Sequence, residues 1–559
     1  MGELTEFLTM QSNVLVGILE LNCGKTYGRR RNANGKEGKL FYGVKHDYEH
    51  LPPFKTPYEI KHNGKNMNAQ HQSADCSRYV KDKYVVFKLN QFTTQERTEV
   101  TLVETIGDVD DVNAFSTYRT YVSGFKLQSS WHKELAQFRK KNDIIELSNK
   151  TLFMHNQTQP QSQSQSQLPI CEIFTIDPEG CKDMDDGVGI STSNINRDGD
   201  TIYDIAIAIT HVPSYLIASD LTSTQLISSL SNTCSIYLPE RVINMIPKLF
   251  AEQLCSLTKD TVKPALVLHL IWNATKNTMV KQYIQIENVS ITHNFAYETP
   301  ELYQFGKYDT LFTSIRNMNL HYKSFDVCQT IGDSHDVVAY LMTYMNNYTV
   351  EWLHENSVPC IYRINQKRNI EELPTELRHL KQKIGNYAGE YCDEVGLKKY
   401  GGDTTIWTHI TSPMRRLADL TNMITIAYCL HPQIYEPLVE FRDYCLTIVP
   451  RISEEYKKSK RVSMDCELFG YVCQTTTLQL NEKTFDGIVI DINNTQSQCD
   501  MNIGNCQTFI EYVVYIPELS RIFIAKTSKL LTLYEKITCK IVVFDEGHSI
   551  KDKVKLAIL

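Results

Sequence analysis

The sequence predicts a multidomain protein in which a mixed α/β (α+β) central module is flanked by small all-β barrels. Its 559 residues suffice for about three or four domains of ordinary size. Short apolar runs separated by turn residues occupy both ends, and longer helical periodicities are confined to the middle. A tract of alternating Gln and Ser follows Gln157-Thr158-Gln159-Pro160, and so polar a stretch cannot form a core.

Taken in order, residues 1–105 hold the runs Val14 to Leu19, Leu40 to Val44 and Tyr84 to Phe87. Asn34-Gly35 and Pro52-Pro53 punctuate them as turns, so a small β-barrel is expected. Arg29-Arg30-Arg31 reads either as a phosphate contact or as a solvated loop tip. Residues 106–156 are read as a connecting segment and 157–168 as a Gln/Ser spacer. The central module is expected over 169–480, with strands at Tyr203 to Ile209 and Ala265 to Trp272. Helices are expected at Val337 to His354 and at Leu417 to Leu430, where Leu417, Leu420, Ile424 and Tyr428 recur at helical spacing. Strands return over 481–559, at Phe485 to Ile490, Tyr512 to Ile516 and Ile537 to Phe544.

A hydrophobic content of 42% and a charged content of 22% describe an ordinary globular chain. No apolar run approaches the roughly 18 residues of a membrane helix. Met1 to Glu6 carries neither a basic n-region nor a myristoylation pattern. The sixteen cysteines lack paired Cys-x-x-Cys spacing, which points to reduced thiols and a cytoplasmic location. The net charge of −7 argues against broad electrostatic coating of a nucleic acid. It leaves room for a local basic channel, because field lines focus in a cleft.

The chemistry concentrates in Thr175 to Ile190, where Asp177, Asp183, Asp185 and Asp186 fall within ten residues. Like charges this close repel one another unless a metal ion or a proton neutralises them. Hard oxygen donors suit magnesium or manganese, and the matching chemistry is metal-assisted phosphoryl transfer. A solvated acidic loop or a structural calcium site is the competing reading. On extended backbone Asp183 and Asp185 would face one side and Asp186 the other, with Gly180 and Gly187 permitting tight bends. Downstream, Ser412-Pro413 reads as a helix start that places Arg415 in the first turn, where phosphate is attracted.

The segment Thr175 to Gly187 resembles the acidic signature of the ribonuclease II, or RNB, family. So do six further stretches in the same order: Ile209 to Tyr215, Ser235 to Pro247, Gln253 to Leu257, Leu341 to Asn346, Ile361 to Asn365 and Thr408 to Arg416. The resemblance spans about residues 170–475. It implies an RNB catalytic domain flanked by OB-type barrels, the first cold-shock-like and RNA-binding, the last a diverged RNA-binding domain. It also implies a magnesium-dependent, processive 3′-to-5′ exoribonuclease that threads single-stranded RNA and releases nucleoside 5′-monophosphates. Contacts to the 2′-hydroxyl would separate RNA from DNA.

By that resemblance Asp177, Asp183 and Asp186 hold or support Mg2+ (or Mn2+), and Asp185 is the carboxylate closest to the chemistry. Arg415 stabilises the phosphate in the transition state. Tyr237 packs on the terminal nucleotide, and Arg416 either contacts substrate or makes a structural salt bridge. Arg363 fits a phosphate contact and a structural pair equally. The chain departs from the family at Leu417, Met423 and Ile424, where an aromatic, a His and an Arg are usual, and at His211, which replaces an aspartate. These departures keep a second reading open, a catalytically silent RNB-fold protein that binds RNA as an adaptor. A third reading, an endonuclease or DNA-acting hydrolase using the same metals, is separated by its substrates.

Overall fold

The computed structural model describes residues 14–31, 37–46, 53–59, 61–62, 65–66, 80–89, 97–138, 141–156, 171–193, 199–325, 330–366, 390–394, 404–475, 482–499, 506–544 and 554–559. The spacer expected at 157–168 and the turn expected at Asn34-Gly35 lie outside the described residues. The chain divides into two compact units. One comprises Met1–Leu127, Tyr237–Arg241 and Lys460–Leu559, and the other Gln128–Ile236 and Val242–Ser459.

In the first unit the N-terminal runs form β1 (Val14–Leu19), β2 (Thr26–Arg31), β3 (Glu37–Lys45), β4 (Phe54–Tyr58), β5 (Lys83–Leu89) and β6 (Thr98–Asp108). Their order is β1-β5-β6-β4-β3-β2, and β1 also pairs with β3 through Ile18–Lys45 and Leu19–Val44. The sheet thereby closes on itself around Leu15, Leu19, Val44, Phe54, Val85, Phe87 and Val100. β6 runs through residue 105 to Asp108, so the expected domain end falls inside a strand. The expected connecting segment is structured as well. Helix α1 (Val112–Val122) is capped by the Asp111 carboxylate, which accepts from the Asn113 and Ala114 amides.

The second unit is built on five strands: β7 (Cys171–Asp177), β8 (Asp186–Ser193), β9 (Ile202–Thr210), β10 (Thr261–Asn273) and β11 (Thr278–Ala296). They close into a barrel in the order β8-β9-β10-β11-β7, with β11 and β7 parallel. Because side chains alternate along a strand, the run Ile205 to Ile209 serves two faces. Ile205, Ile207 and Ile209 join Leu266, Leu268 and Leu270 in the main core. Ala206 and Ala208 join Ala265, Val267, Val289 and Ile291 in a second cluster of smaller side chains.

Helices cover the main-core face: α2 (Lys141–Asn156), α3 (Val212–Ala218), α4 (Ser223–Ser229), α5 (Gly306–His321), α6 (Ser334–Glu355), α7 (Leu417–Leu430) and α8 (Val439–Thr447). α7 is buried from Leu417 to Ala427, as its apolar spacing requires. A three-stranded sheet, β12 (Tyr362–Gln366), β13 (Glu390–Cys392) and β14 (Thr404–Thr408), has β12 in the middle. Asn422 of α7 ties it down: its side chain accepts from the Ile361 amide (2.8 Å) and donates to Thr408 Oγ1 (2.6 Å).

Helix α9 (Val449–Gln474) leads towards the C-terminal strands, and its residues from Lys460 onward belong to the first unit. There β15 (Phe485–Cys499), β16 (Cys506–Ile516), β17 (Arg521–Thr527), β18 (Lys536–Val543) and β19 (Val554–Ile558) form one sheet ordered β17-β16-β15-β18-β19. Asp465 of α9 accepts from Arg119 of α1 (2.7 Å) and from Arg521 of β17 (3.1 Å), which joins the two terminal sheets within that unit. No helix among the described residues is long and apolar enough to cross a membrane.

Candidate active site

Asp177 ends β7 and Asp186 begins β8, so the acidic segment is the loop at one end of the barrel. Gly180 turns it at φ +78°, a conformation open to glycine. Gly187 makes no bend. It lies in β8, where a Cβ would come within 2.9 Å of Ile173 Cδ1, so its role is close strand packing.

The loop is held by its neighbours. The Met184 amide donates to Ser256 Oγ (3.1 Å), and the Leu257 amide donates to the Met184 carbonyl (3.1 Å). The Thr210 amide donates to the Asp185 carbonyl (2.8 Å), and the Met184 side chain is buried. Asn294 Nδ2 bonds both Thr175 Oγ1 (3.0 Å) and the Leu257 carbonyl (2.9 Å). Thus the Gln253 to Leu257 stretch is the brace of the acidic loop. These bonds replace a strand ladder, so residues 181–185 are irregular and the expected alternation of Asp183 and Asp185 does not apply.

Asp185 turns into the protein and is 1% exposed. Its Oδ1 accepts from the Met414 amide (3.2 Å) and its Oδ2 from Arg415 Nε (2.5 Å). Burial pushes its carboxyl up to about 6, against the pull of the Arg415 charge and the Met414 amide. Burial, with Asp177 and Asp185 nearby, pushes Asp186 up to about 7. Asp177 is raised as well, again chiefly by burial.

Arg415 does not sit in a helix. Ser412 to Arg415 form a turn in which the Arg415 and Arg416 amides donate to the Ser412 carbonyl (3.1 and 3.0 Å), and α7 starts at Leu417. The expected start at Ser412 fails because the Asp419 carboxylate takes the Ser412 amide (2.9 Å) while Arg416 stays extended and bridges to Cys234. Arg415 is thereby presented by a turn, with Nη2 on Ser412 Oγ (2.9 Å). Arg416 is committed to Asp419 through Nη2 (2.7 Å), and Asp419 is 0% exposed. Of its two expected roles, this geometry is the salt bridge.

Arg363 is buried with its guanidinium over the rings of Tyr391 (4.9 Å) and Tyr456 (5.0 Å), and Tyr391 Oη is bonded to His409 Nδ1 (2.7 Å). His211 is a core histidine whose Nδ1 meets Ser214 Oγ (2.6 Å). Tyr237 is 40% exposed and belongs to the first unit, whereas the other candidates belong to the second.

One residue escaped the sequence reading. The Tyr297 amide donates to the Asp177 carbonyl (3.1 Å), and burial together with Asp186 and Asp177 holds its phenol well above the ordinary value. Its ring stacks on His335 at 3.9 Å and 7°. The one local signal was its place just after the long strand, before Thr299-Pro300.

The donor chemistry fits a hard divalent cation. Asp177 Oδ2 is buried with no hydrogen-bond partner, and Asp186 lies in the electrostatic field of Asp177. As the side chains stand, no three His, Cys, Asp or Glu residues among the described ones group tightly enough to hold an ion.

Residues 162–305 match the family model of the RNB domain. Ribonuclease R of Aquifex aeolicus (strain VF5) is 22% identical over 359 residues, covering 56% of this chain and 47% of that protein. The chain spans less than half the length of the curated relatives it matches. In fold it is similar to Mycoplasma genitalium RNase R in complex with double-stranded RNA, with a TM-score of 0.58 at 14% identity, covering 98% of this chain and 95% of that one. It is also similar to yeast Ssd1, a pseudonuclease, with a TM-score of 0.54 at 13% identity over 95% of this chain and 66% of that one. Residues 162–305 of this chain thus match the RNB domain, and the fold is similar to that of Mycoplasma genitalium RNase R.

Proposed function

We propose that this protein is a divalent-metal-dependent 3′-to-5′ exoribonuclease that shortens single-stranded RNA processively to nucleoside 5′-monophosphates. The observation that carries the reading is the convergence of all four acidic-loop aspartates and Arg415 at one end of the RNB barrel. The ribonuclease R relative supports the reaction class.

In this reading Asp177, Asp183 and Asp186 would hold Mg2+ or Mn2+, which when bound supplies water activation and charge neutralisation at the leaving oxygen. Asp185, fixed by the Met414 amide, orients Arg415 towards the scissile phosphate. The Arg415 guanidinium, about one-third exposed, would meet the developing charge from its solvent-facing edge. Tyr237 would pack on the terminal nucleotide. The two terminal sheets would serve as OB-type modules that feed the strand by stacking and backbone charge. The Tyr27 ring between Lys25 (5.5 Å) and Arg97 (4.2 Å) on the N-terminal sheet is a surface of that kind.

A second reading has its own observation. Asp185 is fully engaged by protein groups and no three-residue ligand group is formed among the described residues, which suits an RNA-binding RNB fold without catalysis. Degradation of a 5′-labelled single-stranded RNA with Mg2+ decides between them. Stepwise 3′ shortening that EDTA stops, and that Asp185→Asn slows on the order of 10²–10³-fold, is expected for the enzyme. RNA left intact by wild type yet bound with equal affinity by both proteins assigns the adaptor role.

A further inference from the structure

The junction of β11 with α6 contains a contact that the reaction scheme leaves unused. Strand β11 ends at Ala296, and the next two residues split their duties. Tyr297 reaches the acidic loop: its amide bonds the Asp177 carbonyl (3.1 Å), and its phenol lies within the field of Asp186, Asp177 and Arg415. Glu298 points to the start of α6. It adopts φ +58°, a left-handed conformation that a non-glycine residue keeps only when its surroundings enforce it.

Ser334 and Tyr303 enforce it. Glu298 Oε1 accepts from the Ser334 amide (3.0 Å) and from the Ser334 hydroxyl, and Oε2 accepts from the Tyr303 hydroxyl. The Glu298 amide donates back to Ser334 Oγ (3.3 Å). Next along the helix, His335 lies flat on the Tyr297 ring at 3.9 Å and 7°. Consecutive residues on one side, Tyr297 and Glu298, thus grip consecutive residues on the other, Ser334 and His335. Asp333 caps the same helix by accepting from the Asp336 amide (2.9 Å), which fixes the first turn from which His335 projects.

We propose that His335 is a positioning residue. Its imidazole, through the stack and the Glu298–Ser334 latch, sets the plane of the Tyr297 ring and so the face that this ring presents to the acidic loop. The inference rests on the exonuclease reading for its consequence, but not for its geometry. His335 is itself exposed, so its replacement removes the stack without emptying a core position. An exposed histidine with only a structural role would change stability slightly and leave the reaction untouched.

The test compares wild type, His335→Ala and His335→Phe in Mg2+-dependent degradation of single-stranded RNA, alongside amide hydrogen exchange at Tyr297. His335→Ala is expected to lower kcat about tenfold, through misplacement of a group near the reacting centre, with KM within about twofold. His335→Phe, which keeps an aromatic face, is expected to restore kcat to within about twofold of wild type. The Tyr297 amide is expected to exchange faster in His335→Ala than in wild type or His335→Phe. Unchanged kcat and unchanged exchange in His335→Ala overturn the proposal, as does a His335→Phe variant as slow as the alanine one. If wild type leaves RNA intact, the exonuclease reading fails and the exchange data alone decide the clamp. Faster exchange then supports it, and equal exchange refutes it.

Discussion

Two adjacent arginines have opposite employment. Arg415 presents an edge to solvent while its Nε holds Asp185, and Arg416 is drawn inward to Asp419, which is 0% exposed. Removing the partner of a buried charge costs far more than a surface pair is worth. Arg416→Ala is therefore expected to destabilise the fold by about 3–5 kcal/mol in urea melts while leaving KM for RNA near wild type. Arg415→Ala also strips buried Asp185 of its partner, so it is expected to lower the melt as well, but with a large fall in kcat that Arg416→Ala does not share. A variant pair that behaved the other way round would return Arg416 to substrate binding. The sequence offered both roles for Arg416 because Asp419, three residues on, was visible but its burial was not.

The barrel strands work by close approach. At Gly189 of β8 a Cβ would lie 2.5 Å from the Glu172 carbonyl oxygen of β7, a backbone atom that cannot swing aside. Gly189→Ala is expected to cost about 1–3 kcal/mol by overpacking, read as a lowered urea midpoint at unchanged m. On β10, His269 sits between Asp204 of β9 (3.0 Å) and Glu287 of β11 (3.2 Å). Burial pulls its imidazole down, but bonds to the two carboxylates outweigh it and push it up to about 9. A raised folded value means that the stabilisation is complete below the ordinary 6.5 and is lost as pH rises through about 9. His269→Gln is accordingly expected to be less stable than wild type by about 2–3 kcal/mol at pH 6, with the gap narrowing by pH 10. A gap that does not depend on pH would show that the imidazole is neutral in the fold.

For the whole molecule the acidic loop is a store of unfavourable charge. Asp185 and Asp186, at about 6 and about 7, keep their protons longer when folded than when unfolded. Stability of the metal-free protein must then fall as pH rises from the ordinary carboxylate range through about 7, because the folded state binds more protons there. A divalent cation relieves the repulsion only once the carboxylates are ionised. Millimolar Mg2+ is expected to raise Tm more at pH 8 than at pH 5.5 in calorimetry, and Asp177→Asn or Asp186→Asn to abolish the difference. A Tm indifferent to Mg2+ at both pH values would remove the metal from the proposal and favour the adaptor reading.

Much of this was legible from residue order. Period-two and period-3.6 patterns marked the strands at Tyr203 to Ile209 and Ala265 to Trp272 and the helix at Leu417 to Leu430, since local spacing decides which face of an element is apolar. The four aspartates could be picked out because like charges so close in sequence demand an explanation. Other features were decided by partners distant in the chain. Ser256 holds Met184 from 72 positions away, and Asp185 meets Arg415 across 230. Asp419 displaced the helix start that Ser412-Pro413 advertised, and Tyr297 became part of the site through a parallel strand pairing that no short window contains. Chain order specifies which groups are available and how each local segment bends. Only closure of the barrel determines which groups lose water together, and that shared desolvation raises the carboxylates, orients Arg415 and commits Arg416 to the core.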